Sequence, residues 1–262
     1  MQGSMKANTT SLHLLQANSI SLLLIKSHLC MNHLLAVLMI VSTLSGARGM
    51  QPDSALNVNR VNDFEVTGEG FASEWNRADW VELSSRSGSR RYQTQFKILY
   101  SGKGIYCLFR CEDKEINSTI RENNAPLHKE DVVEAFFWPD DTRPVYFEYE
   151  LSPHNFELPL LVPNYNGNFF GWLPWNPKGD RQIRHATKII SDKNGTTAWI
   201  AEFFIPYAVL MPLPNVPPQK GTRWRANFYR IDHDESISHW SWKPFRKTFH
   251  DYTLFGEIRF GG

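Results

Sequence analysis

The chain has 262 residues, of which 28 are Lys or Arg, 27 are Asp or Glu, and 13% are aromatic. Removing residues 1–49 takes away three basic residues and no acidic ones, which leaves 25 against 27 and a net charge of −2. This near balance excludes the basic surface typical of proteins that bind nucleic acids or anionic membranes. A chain of this length can bury a core in one domain without disulfides.

Residues 1–49 differ in composition from the rest of the chain. They contain no Phe, Trp, Tyr, Asp or Glu, and an apolar run at 34–44 precedes small residues at 45–49. This pattern predicts a secretory signal peptide, because the run is too short to span a bilayer. An N-terminal membrane anchor is the alternative, and Met31 is a second candidate start that would make residues 1–30 a mis-assigned extension. The mature protein is therefore expected to be secreted, periplasmic or on the cell surface, with no membrane insertion after cleavage.

Alternating apolar and polar residues dominate the rest of the chain. Residues 92–100, 145–151, 199–205 and 224–228 place apolar side chains at every second position, and Gly, Pro, Asn or Asp turns separate such segments. Alternation of this kind predicts half-buried strands. Many such strands between turns predict an all-β fold, a jelly-roll-like antiparallel β-sandwich, over residues 61–262.

Smaller features complete the predicted domain. Residues 50–60 are predicted to form a flexible leader, and at most one or two short helices are expected, one of them near residues 207–211. Cys107 and Cys111 lie about 13 Å apart on one extended strand, so they cannot pair with each other, because a disulfide needs Cα atoms within about 7 Å. They are predicted to be buried thiols. The tryptophans predicted to lie in the core are Trp75, Trp80, Trp199 and Trp224.

The segment from residue 221 to residue 244 carries the strongest indication of function. Arg225, Asn227 and Arg230 lie among aromatic residues on a predicted strand, and a loop with Trp240 and Trp242 follows. Flat apolar rings beside hydrogen-bonding groups suit a sugar, because a pyranose has an apolar C–H face and a polar rim of hydroxyls.

This C-terminal run, closed by residues 255–260, resembles the final signature of the family 9 carbohydrate-binding modules and their DOMON-like relatives. Residues 104–113, 129–137 and 202–206 are similar to three further strands of that family. The similar segments occur in order from about residue 64 to residue 260. The resemblance implies a non-catalytic module that binds a polysaccharide or an oligosaccharide, and we expect it to be a monomer.

The resemblance also implies a sugar ring held between two aromatic side chains. Trp242, alone or with Trp240, is expected near the C-terminus, and His128 stands where the other ring is expected, ahead of the acidic strand. The family's acidic positions fall on Asp131 and Glu134. Tryptophans in the long loop at 163–179 either pack beneath that loop or face the ligand. The expected ligand-binding residues are Trp242, Trp240, Asp131, Glu134, Asn227, Arg230, His128, Trp175 and Trp172.

The acidic residues allow other interpretations. Asp131 and Glu134 could instead line a solvated strand edge or pair with a neighbouring arginine. Glu148 and Glu150 share a strand face about 7 Å apart, a separation compatible with glycoside hydrolysis, although adjacent glutamates on one strand face are usually just exposed. An accessory domain of a polysaccharide-degrading system, with no ligand of its own, is a further alternative.

Cofactor candidates are weaker. Asp232, Asp234 and Glu235 offer closely spaced oxygen ligands of the kind Ca²⁺ takes, and the resemblance implies that such sandwiches often hold structural calcium. Haem is the alternative cofactor, because relatives of the same topology bind it through Met and His or through two His. The candidate haem ligands are His185, His233, His239, His250 and Met211. Two sequons, at Asn117 and Asn194, are glycosylation sites only in a host with that machinery.

Overall fold

The computed structural model describes residues 55–88, 92–175, 178–179 and 182–262, so the predicted signal peptide and the alternative start Met31 lie outside the described residues. Within those residues the chain forms fifteen strands and one short α-helix. The strands are β1 (Leu56–Arg60), β2 (Val81–Glu82), β3 (Ser84–Ser87), β4 (Thr94–Tyr100), β5 (Gly104–Glu112), β6 (Val132–Trp138), β7 (Val145–Leu151), β8 (Glu157–Tyr165), β9 (Asn168–Phe169), β10 (Leu173–Pro174), β11 (Arg184–Asp192), β12 (Gly195–Pro206), β13 (Arg223–Asp232), β14 (Ser238–Ser241) and β15 (Gly256–Phe260).

Helical structure is sparse. The α-helix α1 spans Tyr207–Leu210, which confirms the predicted short helix. Among the described residues, short 3-10 helices cover Ser73–Arg77, Leu127–Lys129 and Tyr252–Leu254. In the described part of the chain, no helix is long and apolar enough to cross a lipid bilayer.

The strands form two sheets that pack face to face. The first sheet has the order β10-β8-β7-β6-β13-β15-β1, and the second has the order β1-β4-β5-β12-β11. Phe96 of the second sheet stacks on Phe228 of the first with ring centroids 4.0 Å apart, which places a shared core between them. The predicted all-β sandwich is therefore confirmed.

Strand β1 joins the two sheets. It pairs in parallel with β15 on one side and with β4 on the other. This position corrects the prediction for residues 50–60, because residues 56–60 form a strand between the two sheets rather than a flexible leader. Val58 at its centre is fully buried.

Other core predictions have mixed outcomes. Cys107 and Cys111 are buried and free, as predicted. Trp75, Trp199 and Trp224 are buried, but Trp80 is 40% exposed and lies beneath the ammonium of Lys97 rather than in the core.

The outer face of the first sheet is also covered. The alternation of β6 turns Val133 and Phe137 toward the shared core and turns Glu134 and Phe136 outward. A second apolar cluster lies on this outer face and includes residues from the segment that follows β14. The members from that segment are Phe249, Tyr252 and Phe255. The segment after β14 therefore folds over the outer face of the first sheet, and a site can form between the two.

Candidate functional site

A cavity of about 560 Å³ opens on the outer face of the first sheet. Its floor is formed by side chains from four adjacent strands. Its walls come from the loop after β8, the 3-10 turn before β6 and the segment after β14. The floor residues are Glu134 of β6, Glu148 and Glu150 of β7, Leu160 of β8 and Ile231 of β13.

Strand register brings the three floor glutamates together. Glu134 pairs directly with Glu150 across the antiparallel β6–β7 ladder, and Glu148 lies two residues before Glu150 on the same face. Directly opposed residues on neighbouring strands have Cβ atoms about 4.5–5.5 Å apart. The exposed fractions of Glu134, Glu148 and Glu150 are 2%, 3% and 1%, so these carboxyl groups are almost fully withdrawn from water.

Glu150 is held by the turn before β6. Its Oε2 accepts a hydrogen bond from the backbone N–H of His128 at 3.0 Å, and its Oε1 lies 3.5 Å from the ring Nδ1 of His128. This contact ties the turn that carries His128 to the cavity floor.

By comparison, Glu134 and Glu148 have few neighbouring groups that could stabilise a negative charge. Burial, together with the neighbouring charge of Glu150, raises the pKa of both groups well above the ordinary range of a glutamate. The Oε2 of Glu148 is buried without a hydrogen bond, and the nearest basic nitrogen is Nδ1 of His250 at 3.7 Å. Burial lowers the pKa of His250 to about 4, so this imidazole is neutral at neutral pH.

One wall of the cavity is a set of nearly parallel rings, here called the first ring group: Phe169, Trp172 and His250. Phe169 stacks on His250 with centroids 4.2 Å apart, and Trp172 lies 6.0 Å from His250 at an interplanar angle of 12°. The Nδ1 of His250 also lies 2.7 Å from the hydroxyl of Tyr146, which fixes the ring. Trp172 is 46% exposed, so much of its surface is open to a ligand.

The C-terminal segment supplies a second ring group: His239, Phe245 and Phe249. Phe245 and Phe249 lie edge to face at 5.0 Å, and His239 lies 5.5 Å from Phe249. Among the described residues, no ring of this group stacks on a ring of the first group, although both line the cavity. Carboxyl groups therefore lie below a space with aromatic rings on two sides.

Three of the residues expected from the sequence meet in this cavity. Glu134 lies in its floor, and His128 and Trp172 lie in its walls, with their ring centroids 6.0 Å apart in an edge-on arrangement. His128 is thus placed beside Trp172, in the position ahead of the acidic strand where an aromatic partner was expected.

Trp240 and Arg230 require a correction, because both side chains are sealed in the interior. Trp240 is 1% exposed, and the guanidinium of Arg230 lies 4.9 Å from its ring centroid. Arg230 is fully buried and donates to Asp113 and Asp232 on the inner side of the sheet. Neither residue has a surface that a sugar could reach.

Asp131 and Asn227 are also structural in this fold. The buried carboxylate of Asp131 accepts from the backbone N–H groups of Asn117 and His233, at 2.6 and 2.8 Å. Asn227 is 1% exposed; its Oδ1 accepts from the backbone N–H of Lys243, and its Nδ2 donates to the carbonyl of the same residue. Asn227 therefore anchors the start of the segment that covers the sheet.

Trp242 and Trp175 lie away from the cavity. The half-buried ring of Trp242 packs against Phe96 and Phe228 of the core, and the ammonium of Lys243 lies 4.5 Å from its centroid. Its outer part lines a separate polar cavity of about 560 Å³. Trp175 packs against the shared core and donates its Nε1–H to the carbonyl of Val209. Neither Trp242 nor Trp175 therefore lines the cavity that contains the three floor glutamates.

Several lining residues were not expected from the sequence. Glu148 and Glu150 were expected to form an exposed strand face, but the covering segment buries them. Their period-two placement was a usable signal, because it assigns them to the same outer face as Glu134. The aromatic lining residues that sequence reasoning missed are Phe169, Phe245, Phe249 and, as a ring rather than a haem ligand, His250.

A group of acidic residues lies elsewhere, on the inner side of the sheet. The carboxylate oxygens of Asp113, Asp232 and Asp234 lie within 4.8 Å of one another, a donor set that suits a hard cation. The guanidinium of Arg230 already donates to the first two, so a calcium ion there would compete with a built-in positive charge. Glu235, the third expected ligand, is exposed and is not one of the three residues in this group.

The haem candidates do not gather around one site. His239 and His250 line the cavity described above, whereas His185 and Met211 line a different one. The Nδ1 of His185 lies 2.8 Å from the side-chain oxygen of Asn155, and its Nε2 lies 3.5 Å from Glu157. Both ring nitrogens of His185 are thus turned toward protein partners, an arrangement that does not favour iron ligation.

Comparison with known proteins agrees with this fold. A sequence profile of carbohydrate-binding family 9 matches residues 73–260. A protein of Arthroderma benhamiae named "Extracellular protein" is 26% identical over 183 residues, which cover 64% of this chain and 78% of the relative. A carbohydrate-binding protein candidate from Bacteroides uniformis superposes with a TM-score of 0.66 at 17% identity, covering 79% of this chain and 99% of that one. A family 9 module from Caldicellulosiruptor kristjanssonii, in complex with cellotriose, superposes with a TM-score of 0.58 at 19% identity, covering 80% and 94%.

The two-sheet fold with its ring-lined, carboxylate-floored cavity defines a β-sandwich of the carbohydrate-binding class. More specifically, the chain belongs to carbohydrate-binding family 9, since the family profile spans most of its length. This family is non-catalytic, which confirms the prediction that the domain is not an enzyme. Glu148 and Glu150 of β7 are therefore not assigned as a hydrolytic acid and nucleophile.

Proposed function

We propose that this protein is exported from the cell and binds a carbohydrate chain, or its end, in the cavity on the outer face of the first sheet. The observation that carries the proposal is the meeting of three buried carboxyl groups with exposed aromatic surface in one cavity. The glycosidic bond is left intact, because the cavity serves only to hold the sugar.

The chemistry of the cavity matches the two kinds of surface on a pyranose. The C–H face of a sugar ring covers the open side of Trp172, which removes apolar area from water. Ring hydroxyls donate to Glu150 and, where Glu134 and Glu148 hold protons, accept from them. Because hydroxyls are well solvated, each such bond adds only about 0.5–1.5 kcal/mol, and the expected affinity is on the order of micromolar to millimolar.

Related proteins support this assignment. The Caldicellulosiruptor module of the same family has been solved in complex with cellotriose and also with glucose, the latter with a TM-score of 0.56 at 18% identity. The Arthroderma relative is named an extracellular protein, which agrees with the predicted signal peptide. We infer an extracellular or cell-surface monomer whose partner is a polysaccharide or an oligosaccharide. A role as an accessory domain of a polysaccharide-degrading system fits the same properties.

A glycan-panel binding screen on the purified protein tests the proposal. We expect binding to at least one neutral or basic oligosaccharide, reduced by Trp172→Ala and unaffected by Trp242→Ala, because Trp242 faces a different cavity. The absence of binding to every glycan on the panel would contradict the function. Loss of binding only in Trp242→Ala would place the sugar in the polar cavity beside Trp242. Repeating the screen with calcium and with a chelator determines whether an ion at Asp113, Asp232 and Asp234 changes the affinity for the sugar.

A further inference from the structure

The cavity floor contains more carboxyl groups than its surroundings neutralise. Glu134, Glu148 and Glu150 lie on one sheet face and line the same cavity. Among the described residues that line the cavity, the one Lys or Arg is Lys247, whose side chain is exposed at the rim. Buried carboxylates are normally paired with a cation, as Asp113 and Asp232 are with Arg230 on the other side of the same sheet.

Glu148 shows this deficit most directly. Its Oε2 is buried without a group that donates to it, and the residue is 3% exposed. Its carboxyl group also lies within hydrogen-bonding range of the carboxyl group of Glu150, which is an acceptor and not a cation. The nearest basic nitrogen, Nδ1 of His250, lies 3.7 Å away and is also 2.7 Å from the hydroxyl of Tyr146. An unpartnered buried acceptor of this kind costs stability unless a ligand supplies a donor.

The walls of the cavity suit a cation as well. Trp172 and Phe169 on one side, and Phe245 and Phe249 on the other, present aromatic carbon around the carboxyl groups. Ring faces attract ammonium groups electrostatically, most strongly where water is excluded. A positively charged amine would therefore meet carboxylates below it and aromatic surface beside it.

We propose that the preferred ligand is a glycan whose bound residue carries a free ammonium group, that is, a deacetylated amino sugar of the glucosamine type, held at Glu148. This inference rests on the proposed carbohydrate-binding function and deepens it. The ammonium donates to the carboxyl group of Glu148 and to one of its neighbours, Glu134 or Glu150. The apolar face of the sugar packs on Trp172, as in the binding mode proposed above.

The raised pKa values of Glu134 and Glu148 agree with this assignment. Burial and the charge of Glu150 raise the pKa of both groups, which disfavours their charged form when no cation is present. An ammonium group supplies the missing positive charge and allows them to ionise. An N-acetylated sugar offers only a neutral amide N–H at the same position, so it cannot replace the ammonium.

Three matched trimers test the inference by isothermal titration calorimetry at pH 6 on the purified protein: β-1,4-linked glucosamine, its N-acetylated form, and cellotriose. Charge-assisted hydrogen bonds are roughly twice as strong as neutral ones, so we expect the free-amine trimer to bind at least about tenfold more tightly, equal to about 1.4 kcal/mol. Glu148→Gln should reduce this preference to less than about threefold while binding of the neutral trimers persists. Glu82→Gln, at an exposed position on the other sheet, is the matched control and should leave the preference unchanged.

The outcomes separate the inference from the function on which it rests. Equal or tighter binding of cellotriose would overturn the amine preference and leave carbohydrate binding intact. A preference that survives Glu148→Gln, or that disappears in Glu82→Gln, would show that general charge attraction and not the cavity selects the amine. Failure of all three trimers and of the glycan panel would contradict the proposed function itself. The ratio of the affinities of unmodified protein for the free-amine trimer and for the neutral trimers tests the amine preference even if a variant does not fold.

Discussion

Replacing Trp172 by alanine is the substitution that removes the most binding surface with the least disturbance of the core. Trp172 is 46% exposed, so about 115 Å² of the ~250 Å² that a tryptophan can bury is open to a ligand. A sugar ring that covers about half of this area contributes about 1.4 kcal/mol at ~25 cal/mol per Å², and the aromatic contact adds roughly 0.5–1.5 kcal/mol. The expected loss of about 2–3 kcal/mol corresponds to a roughly 30–150-fold weaker affinity.

The assay is calorimetric titration of unmodified protein, Trp172→Ala and Trp80→Ala with the tightest ligand from the glycan panel. Trp80 is the matched control because it is 40% exposed but lies outside the cavity, beside Lys97. The control should bind normally, and circular dichroism should show both variants folded. Unchanged affinity in folded Trp172→Ala, or an equal loss in Trp80→Ala, would refute the assignment of the first ring group as the sugar platform.

Three further predictions concern stability and modification. Relative to unmodified protein, Glu134→Gln should gain melting temperature as pH rises from 5 to 8. The pKa of Glu134 is raised in the folded state, so above about pH 4.5 the folded protein holds a proton on Glu134 that the unfolded protein has lost. The free energy of unfolding of unmodified protein therefore falls as pH increases, by at most about 1.4 kcal/mol per pH unit, whereas Glu134→Gln lacks this dependence. Gly256→Ala should destabilise by about 1–3 kcal/mol in chemical denaturation, because an added Cβ would lie 2.6 Å from the indole of Trp242. In a host that glycosylates, mass spectrometry should find a glycan on Asn194, which is exposed in the turn between β11 and β12.

Each of these predictions has an outcome that would contradict it. A melting-temperature difference between Glu134→Gln and unmodified protein that does not change with pH would show that Glu134 is ionised in the fold. Gly102→Ala is the control for the glycine substitution, since an added Cβ there meets only the end of an arginine side chain at 3.6 Å; an equal cost at both sites would remove the packing explanation. Modification of Asn117 in place of Asn194 would conflict with the hydrogen bond that its amide donates to Asp234.

Period-two alternation was enough to predict the sandwich, but it could not reveal β1. That strand has the sequence Leu-Asn-Val-Asn-Arg, with only two apolar residues, and its partners are the distant strands β15 and β4. Its alternation covers only Leu56 and Val58, which is too short to identify a strand, and its partners are distant in sequence. Tertiary contacts, and not propensity, fix this segment as a strand.

The same alternation also assigns the residues of the site to the two faces of the first sheet. Arg230 is in phase with Trp224, Ala226 and Phe228, all of which face the shared core, so its burial follows from the pattern. Glu134, Glu148 and Glu150 fall on the opposite face by the same rule. The sequence could not show that residues 243–255 fold over that face, because a covering segment without regular strands has no periodicity. This unseen cover is what turns apparently exposed glutamates into the floor of a cavity.

The position of a bound sugar tests the central claim most directly. A crystal structure of the protein with its tightest ligand should show one sugar ring packed on Trp172, with its polar groups within hydrogen-bonding distance of Glu148 and Glu150. A ring found instead in the polar cavity beside Trp242, with the three glutamates untouched, would contradict the account.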